Sequence, residues 1–141
     1  MNKVLVFALL IFASSCFAET YGDINNVIVD SVYDGDTFTI TIPSWPKIAG
    51  DHIGIRVLGI DTPEMHGDCP EEILLAKKAR NFTIAFLKSG PITLKNTSRD
   101  KYFRIDADVI VNGKNLAQEL IAAKLGYSYD GGTKTSWCPV K

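Results

Sequence analysis

The chain has 141 residues, 15 basic against 16 acidic side chains, a formal charge of −1 and 46% hydrophobic residues. That suits one domain with a substantial core and is too little for two. A near-neutral chain without a basic tail is not a coat that holds a polyanion by bulk charge, so any recognition of phosphate must be local.

At the amino end, Lys3 is followed by the apolar run Val4–Phe12 and the small-residue stretch Ala13–Ala18. This is the pattern of a secretory signal, and the run is too short for the about 20 apolar residues of a membrane-spanning helix. Cleavage after Ala18 is expected, with a lipoprotein signal modified at Cys16 as the rival reading. The expected location is therefore periplasmic or secreted. Removing 18 residues leaves 123, a single domain over residues 19–141, with 14 basic against 16 acidic side chains because Lys3 leaves with the leader. Cys69 and Cys138 remain, an even number in an oxidising setting, which points to a disulfide; two free buried thiols are the alternative.

The mature chain begins with a strand-like run, Val27–Tyr33, that ends in the turn formers Asp34 and Gly35. Phe38, Ile40 and Ile42 then alternate with Thr37, Thr39 and Thr41, the period of a half-buried strand paired to the first as a hairpin. Residues 43–51 read as a loop, with Trp45 expected to pack on the barrel. Ile53–Ile60 is again rich in strand formers and places Arg56 on one face with Leu58 and Ile60; such a guanidinium needs an anionic partner or a cleft, unless it reaches water from an edge strand. Asp68, Cys69 and Pro70 read as a helix start followed by Glu71 and Glu72, and Leu75, Ala79, Phe82 and Phe86 form the expected core stripe up to the stop at Gly90-Pro91. A short strand at Ile92 and Leu94, another through Ala107, Val109 and Val111, a tight turn at Asn112-Gly113 and a second helix over Asn115–Leu125, with Leu116, Leu120, Ile121 and Leu125 inward, complete the chain. The expectation is an α+β fold, a five-stranded OB-fold barrel with two to three helices.

Three strings carry chemistry: Asp34-Gly35-Asp36-Thr37, Arg56 through Glu64, and Asp100-Lys101-Tyr102-Phe103-Arg104. The carboxylates of Asp36 and Asp61 suit a hard cation, Arg56 and Arg104 suit a phosphate gripped from two sides, and Glu64 suits a proton taken from water. That is the inventory of a metal-assisted phosphodiesterase. His52 and His66 have no third ligand at suitable spacing and read as solvated loop residues.

These strings, in this order and with Arg56 five residues before Asp61, resemble the staphylococcal nuclease (thermonuclease) family of secreted OB-fold nucleases over about Val27 to Leu125. The resemblance implies a Ca2+-dependent endonuclease, acting as a monomer on DNA and RNA with little sequence preference and a 5′-hydroxyl leaving group. It implies Asp36, Asp61 and the backbone carbonyl of Thr62 as Ca2+ ligands, with Asp34 either positioning them or simply capping its turn. It also implies Arg56, Glu64 and Arg104 as the catalytic residues, Lys101 and Tyr102 as contacts to a terminal phosphate, and Tyr127 and Tyr129 as base-stacking residues, against ordinary packing for both tyrosines. Phe103 departs from the pattern, because the family commonly has glycine before this arginine, and Asp106 adds an acid that either competes for Arg104 or faces solvent. The segment after Glu64 is short and carries Cys69 where the family's best-known member has a mobile lysine-rich loop. Two other readings compete: a catalytically inactive OB module that binds nucleic acid or protein, and a Ca2+-stabilised structural protein, in which both arginines would be unexplained.

Overall fold

The computed structural model describes residues 20–140, so the expected leader, including Cys16, lies outside the described residues. The elements run β1 (Ile24–Asn25), β2 (Ile28–Val32), β3 (Thr37–Thr41), α1 (Lys47–Gly50), β4 (Ile53–Val57), β5 (Ile60–Asp61), α2 (Pro70–Leu87), β6 (Ile92–Arg99), β7 (Ile105–Val111), β8 (Lys114–Asn115), α3 (Leu116–Ala122) and β9 (Tyr127–Ser128). The long strands β2, β3, β4, β6 and β7 are the five expected; the two-residue strands pin loops. One sheet has the order β1-β6-β7-β4-β3-β2 with β8 beside β7, and β5 pairs β9 apart from it. The β4–β7 ladder is parallel and its neighbours are antiparallel. No ladder joins β2 back to β1 among the described residues, so the sheet curls into a partly open barrel, as in OB-type α+β folds.

The alternation in β3 decides its faces: Phe38 and Ile40 are buried while Thr37, Thr39 and Thr41 lie half-exposed on the other side. Ile55 and Val57 from β4 and Ile105, Ala107, Val109 and Val111 from β7 close over them, with Leu94, Leu116 and Leu120. Each fully buried large aliphatic among these contributes about 1.5–3 kcal/mol. Asn112 and Gly113 both take positive φ, 51° and 75°, and so make the two-residue hairpin turn between β7 and β8. Asn115 caps α3 by accepting from Ala117 N–H at 2.9 Å.

Several expected boundaries shift. The loop at residues 43–51 contains the single turn α1, and Trp45 packs against the core. The 53–60 stretch is two strands, broken at Leu58-Gly59. Cys69, not Asp68, is the N-cap of α2. The buried stripe of α2 is Glu72, Ala76, Ala79, Thr83 and Leu87, with Phe82 and Phe86 half-buried beside it. The cause is close packing on the β2–β3 turn: a Cβ added to Gly35 would stand 2.9 Å from Ala79 Cβ and 2.8 Å from Thr62 Cγ2. A face that approaches the turn so closely has to carry small side chains. α3 stops at Ala122, short of the expected Leu125, and leaves Ile121 exposed. Cys69 and Cys138 form the disulfide, Cα to Cα 5.9 Å, which fastens the carboxyl segment to the start of α2. No helix among the described residues is long and apolar enough to cross a membrane.

Candidate active site

The β2–β3 turn presents two buried acids. Asp34 Oδ1 accepts from the N–H groups of Asp36 (3.0 Å) and Thr37 (2.8 Å), so its side chain shapes the turn that carries Asp36. Burial, then the neighbouring Asp36 carboxylate and Glu64, outweigh those two N–H bonds and push the Asp34 carboxyl up to about 7. Asp36 is fully engaged: Oδ2 accepts from the N–H and the hydroxyl of Thr62, both at 2.9 Å, and Oδ1 lies 2.9 Å from Arg56 Nη1. Arg56 projects from β4 with its guanidinium also donating to the carbonyls of Val57 (3.3 Å) and Ile60 (2.9 Å). This answers the sequence question about Arg56: it has an anionic partner, and it lies in a cleft.

Asp61 is 3% exposed at the end of β5. Its Oδ1 is paired with the Lys134 ammonium, Nζ 2.7 Å away. The same ammonium donates to Glu64 Oε1 at 3.1 Å. Burial pushes the Lys134 ammonium down, but Asp61 and Glu64 outweigh it and hold it well above the usual lysine range. Sequence reasoning missed Lys134, which lies 70 positions after Glu64 on a carboxyl segment held by the β5–β9 pairing before it and the Cys69–Cys138 bond after it.

Glu72 is the second residue missed. Its carboxylate, on the first turn of α2 and 6% exposed, accepts from the N–H of Glu64 (3.2 Å) and of Asp68 (3.0 Å). It fixes the backbone that carries Glu64, while the Glu64 side chain itself stays open to solvent.

The third string is a turn organised by one acid. Asp100 Oδ1 accepts from the N–H groups of Tyr102 (2.8 Å) and Arg104 (2.9 Å), and Oδ2 pairs with Arg104 Nε and Nη2, both at 2.8 Å. Partial burial pushes Asp100 up, but the Arg104 hydrogen bonds prevail and hold it below the usual aspartate range. The stem of Arg104 lies on β4, where a Cβ at Gly54 would stand 2.9 Å from Arg104 Cγ. Asp106 pairs opposite Arg56 in the β4–β7 ladder and forms no ion pair among the described residues; the acid that holds Arg104 is Asp100. Burial, with Asp100 adding to it, pushes Asp106 up. Phe103 adopts φ +66°, a left-handed conformation that costs a non-glycine residue about 1–2 kcal/mol.

These pieces enclose a cavity of about 470 Å³ in which Asp34, Asp36, Arg56, Glu64, Lys101, Tyr102, Arg104, Tyr129 and Lys134 meet, with Tyr33 at the wall as an unexpected member. Tyr129 faces it, its hydroxyl donating to the Gly132 carbonyl at 2.9 Å. Tyr127 does not line it; its ring stacks on Trp137, centroids 4.1 Å apart. His52 pairs with Asp30 at 3.1 Å, and His66 is exposed.

The donor set at Asp36, Asp61 and the Thr62 carbonyl is all oxygen, as a hard divalent cation requires, and the buried Asp61 carboxylate already draws a positive charge, the Lys134 ammonium. No three acidic groups of the site converge within 4.8 Å; the cluster of that kind among the described residues is Cys69, Glu72 and Cys138, whose sulfurs are bonded to each other. Two carboxylates and a carbonyl fit an open cation that keeps several waters.

The sequence profile of the family described as "Staphylococcal nuclease homologue" matches residues 54–133, more than half of the chain. The chain belongs to the staphylococcal nuclease family. Within it, two relatives from Bacillus subtilis (strain 168) are 32% identical over 117 residues, 77% of this chain: the SPbeta prophage-derived endonuclease YokF and the endonuclease YncB. The chain spans 37% of the first and 52% of the second, well short of either relative's full length. The matched residues carry the second and third strings, and Asp34–Thr37 lies before them.

Proposed function

We propose that this staphylococcal nuclease homologue is a Ca2+-dependent endonuclease that hydrolyses the phosphodiester bonds of DNA and RNA with little sequence preference. The observation that carries the reading is the meeting of Asp34, Asp36, Glu64, Arg56 and Arg104 in one cavity, with Asp61 and Thr62 behind its lining, joined to it through Lys134 and Asp36. The endonuclease names of both Bacillus relatives support it.

Asp36, Asp61 and the Thr62 carbonyl would hold the cation, which when bound supplies charge against the phosphate. Arg56 and Arg104, each tied on its fold side by a carboxylate, present their remaining N–H groups to the phosphate and stabilise the charge that grows at phosphorus. Glu64, held in place through its own N–H by Glu72, orients a water and takes its proton. Lys101 and Tyr102, which line the same cavity, would contact the terminal phosphate of the bound nucleotide. A site that reads phosphates carries little base-edge information, hence the low sequence preference. The disulfide supports an exported setting, and the reading includes a monomer in which one chain supplies every group.

Plasmid DNA and RNA incubated with the purified protein test this. Degradation with Ca2+ and its loss in chelator are expected. Binding without cleavage in both conditions supports the inactive OB module instead, and no interaction at all supports the structural protein.

A further inference from the structure

We infer that Phe103, backed by Arg99, is a stacking platform for an unpaired nucleobase of the bound strand, just beyond the phosphate site; this deepens the nuclease reading above and rests on it. The ring is 78% exposed, so it contributes little to packing. Its backbone sits at φ +66°, where glycine is at ease and phenylalanine is strained. Glycine would serve the fold better on both counts, so the reason for an aromatic here lies outside the fold. Strain of this kind, kept by a side chain that the fold does not need, belongs with function.

The surroundings specify the occupant. The Arg99 guanidinium lies 4.7 Å from the centre of the Phe103 ring and donates from Nη1 to the Phe103 carbonyl at 3.3 Å, so one group both covers part of the ring and fixes its orientation. Next to it, Tyr102 is 67% exposed, with Lys101 Nζ at 5.0 Å and the Arg104 guanidinium at 5.3 Å from its ring. Three cations thus flank two adjacent aromatic faces on the 99–104 turn, the chemistry that receives a strand of phosphates and bases: every base has a π-face, and every phosphate a charge. The turn also bridges two cavities. Lys101, Tyr102 and Arg104 line the catalytic one, and Arg99 lines a second of about 290 Å³ with Tyr21, Trp45 and Ile105. Phe103 belongs to the turn whose residues line the two cavities, one residue before Arg104. Because a stacked base must be unpaired, the platform favours single strands and frayed ends over closed duplex.

The test is fluorescence anisotropy in the Glu64→Gln background with Ca2+, using a labelled single-stranded oligothymidylate of about eight nucleotides, within the span of one OB fold, and a blunt duplex. Phe103→Ala should weaken single-strand binding about tenfold or more, Phe103→Trp should restore it, and duplex binding should change little. Phe103→Gly should lose single-strand affinity while its thermal midpoint rises, a combination that misfolding would not produce. Single-strand binding by Phe103→Ala at the parental affinity, with the parental protein binding well, overturns the platform alone. If the parental protein binds neither probe, the nuclease reading falls and the platform with it.

Discussion

Arg56 and Arg104 are each held by one carboxylate, and the hold uses the arginine fork. Arg56 divides its N–H groups between Asp36 and the carbonyls of Val57 and Ile60; Arg104 gives Nε and Nη2 to Asp100. A lysine cannot make those contacts and still offer a planar pair of donors. Arg56→Lys or Arg104→Lys should therefore lower kcat by about 10²-fold or more while the chain still folds, and near-normal turnover in either variant would sink the phosphate role. Asp34 makes a second residue-scale prediction. Its carboxyl titrates near 7 in the folded chain against a usual value of 3.8, so it favours the folded state while protonated. That contribution is complete below the usual value and is lost as the pH rises through about 7. Metal-free protein should lose thermal stability across this window, and Asp34→Asn should flatten the profile; calorimetry in chelator at a series of pH values checks it.

At the scale of elements, α2 and the β2–β3 turn act as one piece. Thr83, fully buried, donates its hydroxyl to the Gly35 carbonyl at 2.7 Å. Thr83→Val keeps the shape and removes the donor, leaving a buried carbonyl unsatisfied at a cost of about 1–3 kcal/mol. Urea unfolding should show that loss, together with weaker cation binding because the turn also carries Asp36; an unchanged midpoint would mean that the turn is held by packing alone. This pairing also explains what the sequence makes legible. The period-two run at Phe38–Ile42 and the Asn112-Gly113 turn are visible because local chemistry decides them. The inward face of α2 is misread, Ala79 excepted, when large apolar residues are taken as the core stripe, because Leu75, Phe82 and Phe86 stand out while Ala76 and Thr83 do not. What selects the small face is a turn 48 positions earlier in the chain, and no window along the helix contains it. The same holds at the site: the three strings are legible, but Glu72 and Lys134 carry no local signal, one resembling any first-turn acid and the other any tail lysine.

Over the whole molecule, the carboxyl segment is a strap. It leaves β9 beside Asp61, places Tyr129 and Lys134 in the cavity, stacks Trp137 on Tyr127 and ends its crossing at the Cys69–Cys138 bond. The family's best-known member has a mobile segment after its catalytic glutamate; here the corresponding rim is anchored at both ends. The bond closes a separation of 69 positions, for which the chain-entropy relation gives about 4 kcal/mol as an upper figure. Cys69→Ser with Cys138→Ser should lower stability by up to that amount and change the fluorescence of Trp137, measured against the unbridged background of Trp45. Lys134 sets a second expectation. Its ammonium, half exposed, offsets the charge of Asp61 and Glu64, and partly exposed ion pairs are worth up to about 1 kcal/mol. Lys134→Met should therefore tighten Ca2+ binding by about fivefold by calorimetry; unchanged affinity would mean that the lysine and the cation do not compete for charge.

The most direct test of the account is the single-turnover cleavage rate of a defined oligonucleotide across a Ca2+ titration, for the parental protein and for Glu64→Gln, with Ca2+ binding measured on both. The account requires cleavage that saturates with Ca2+, leaves 5′-hydroxyl ends and falls at least about 10²-fold in Glu64→Gln while that variant still binds cation and oligonucleotide. Cleavage that persists in chelator, or that proceeds at the parental rate without the glutamate, would contradict it.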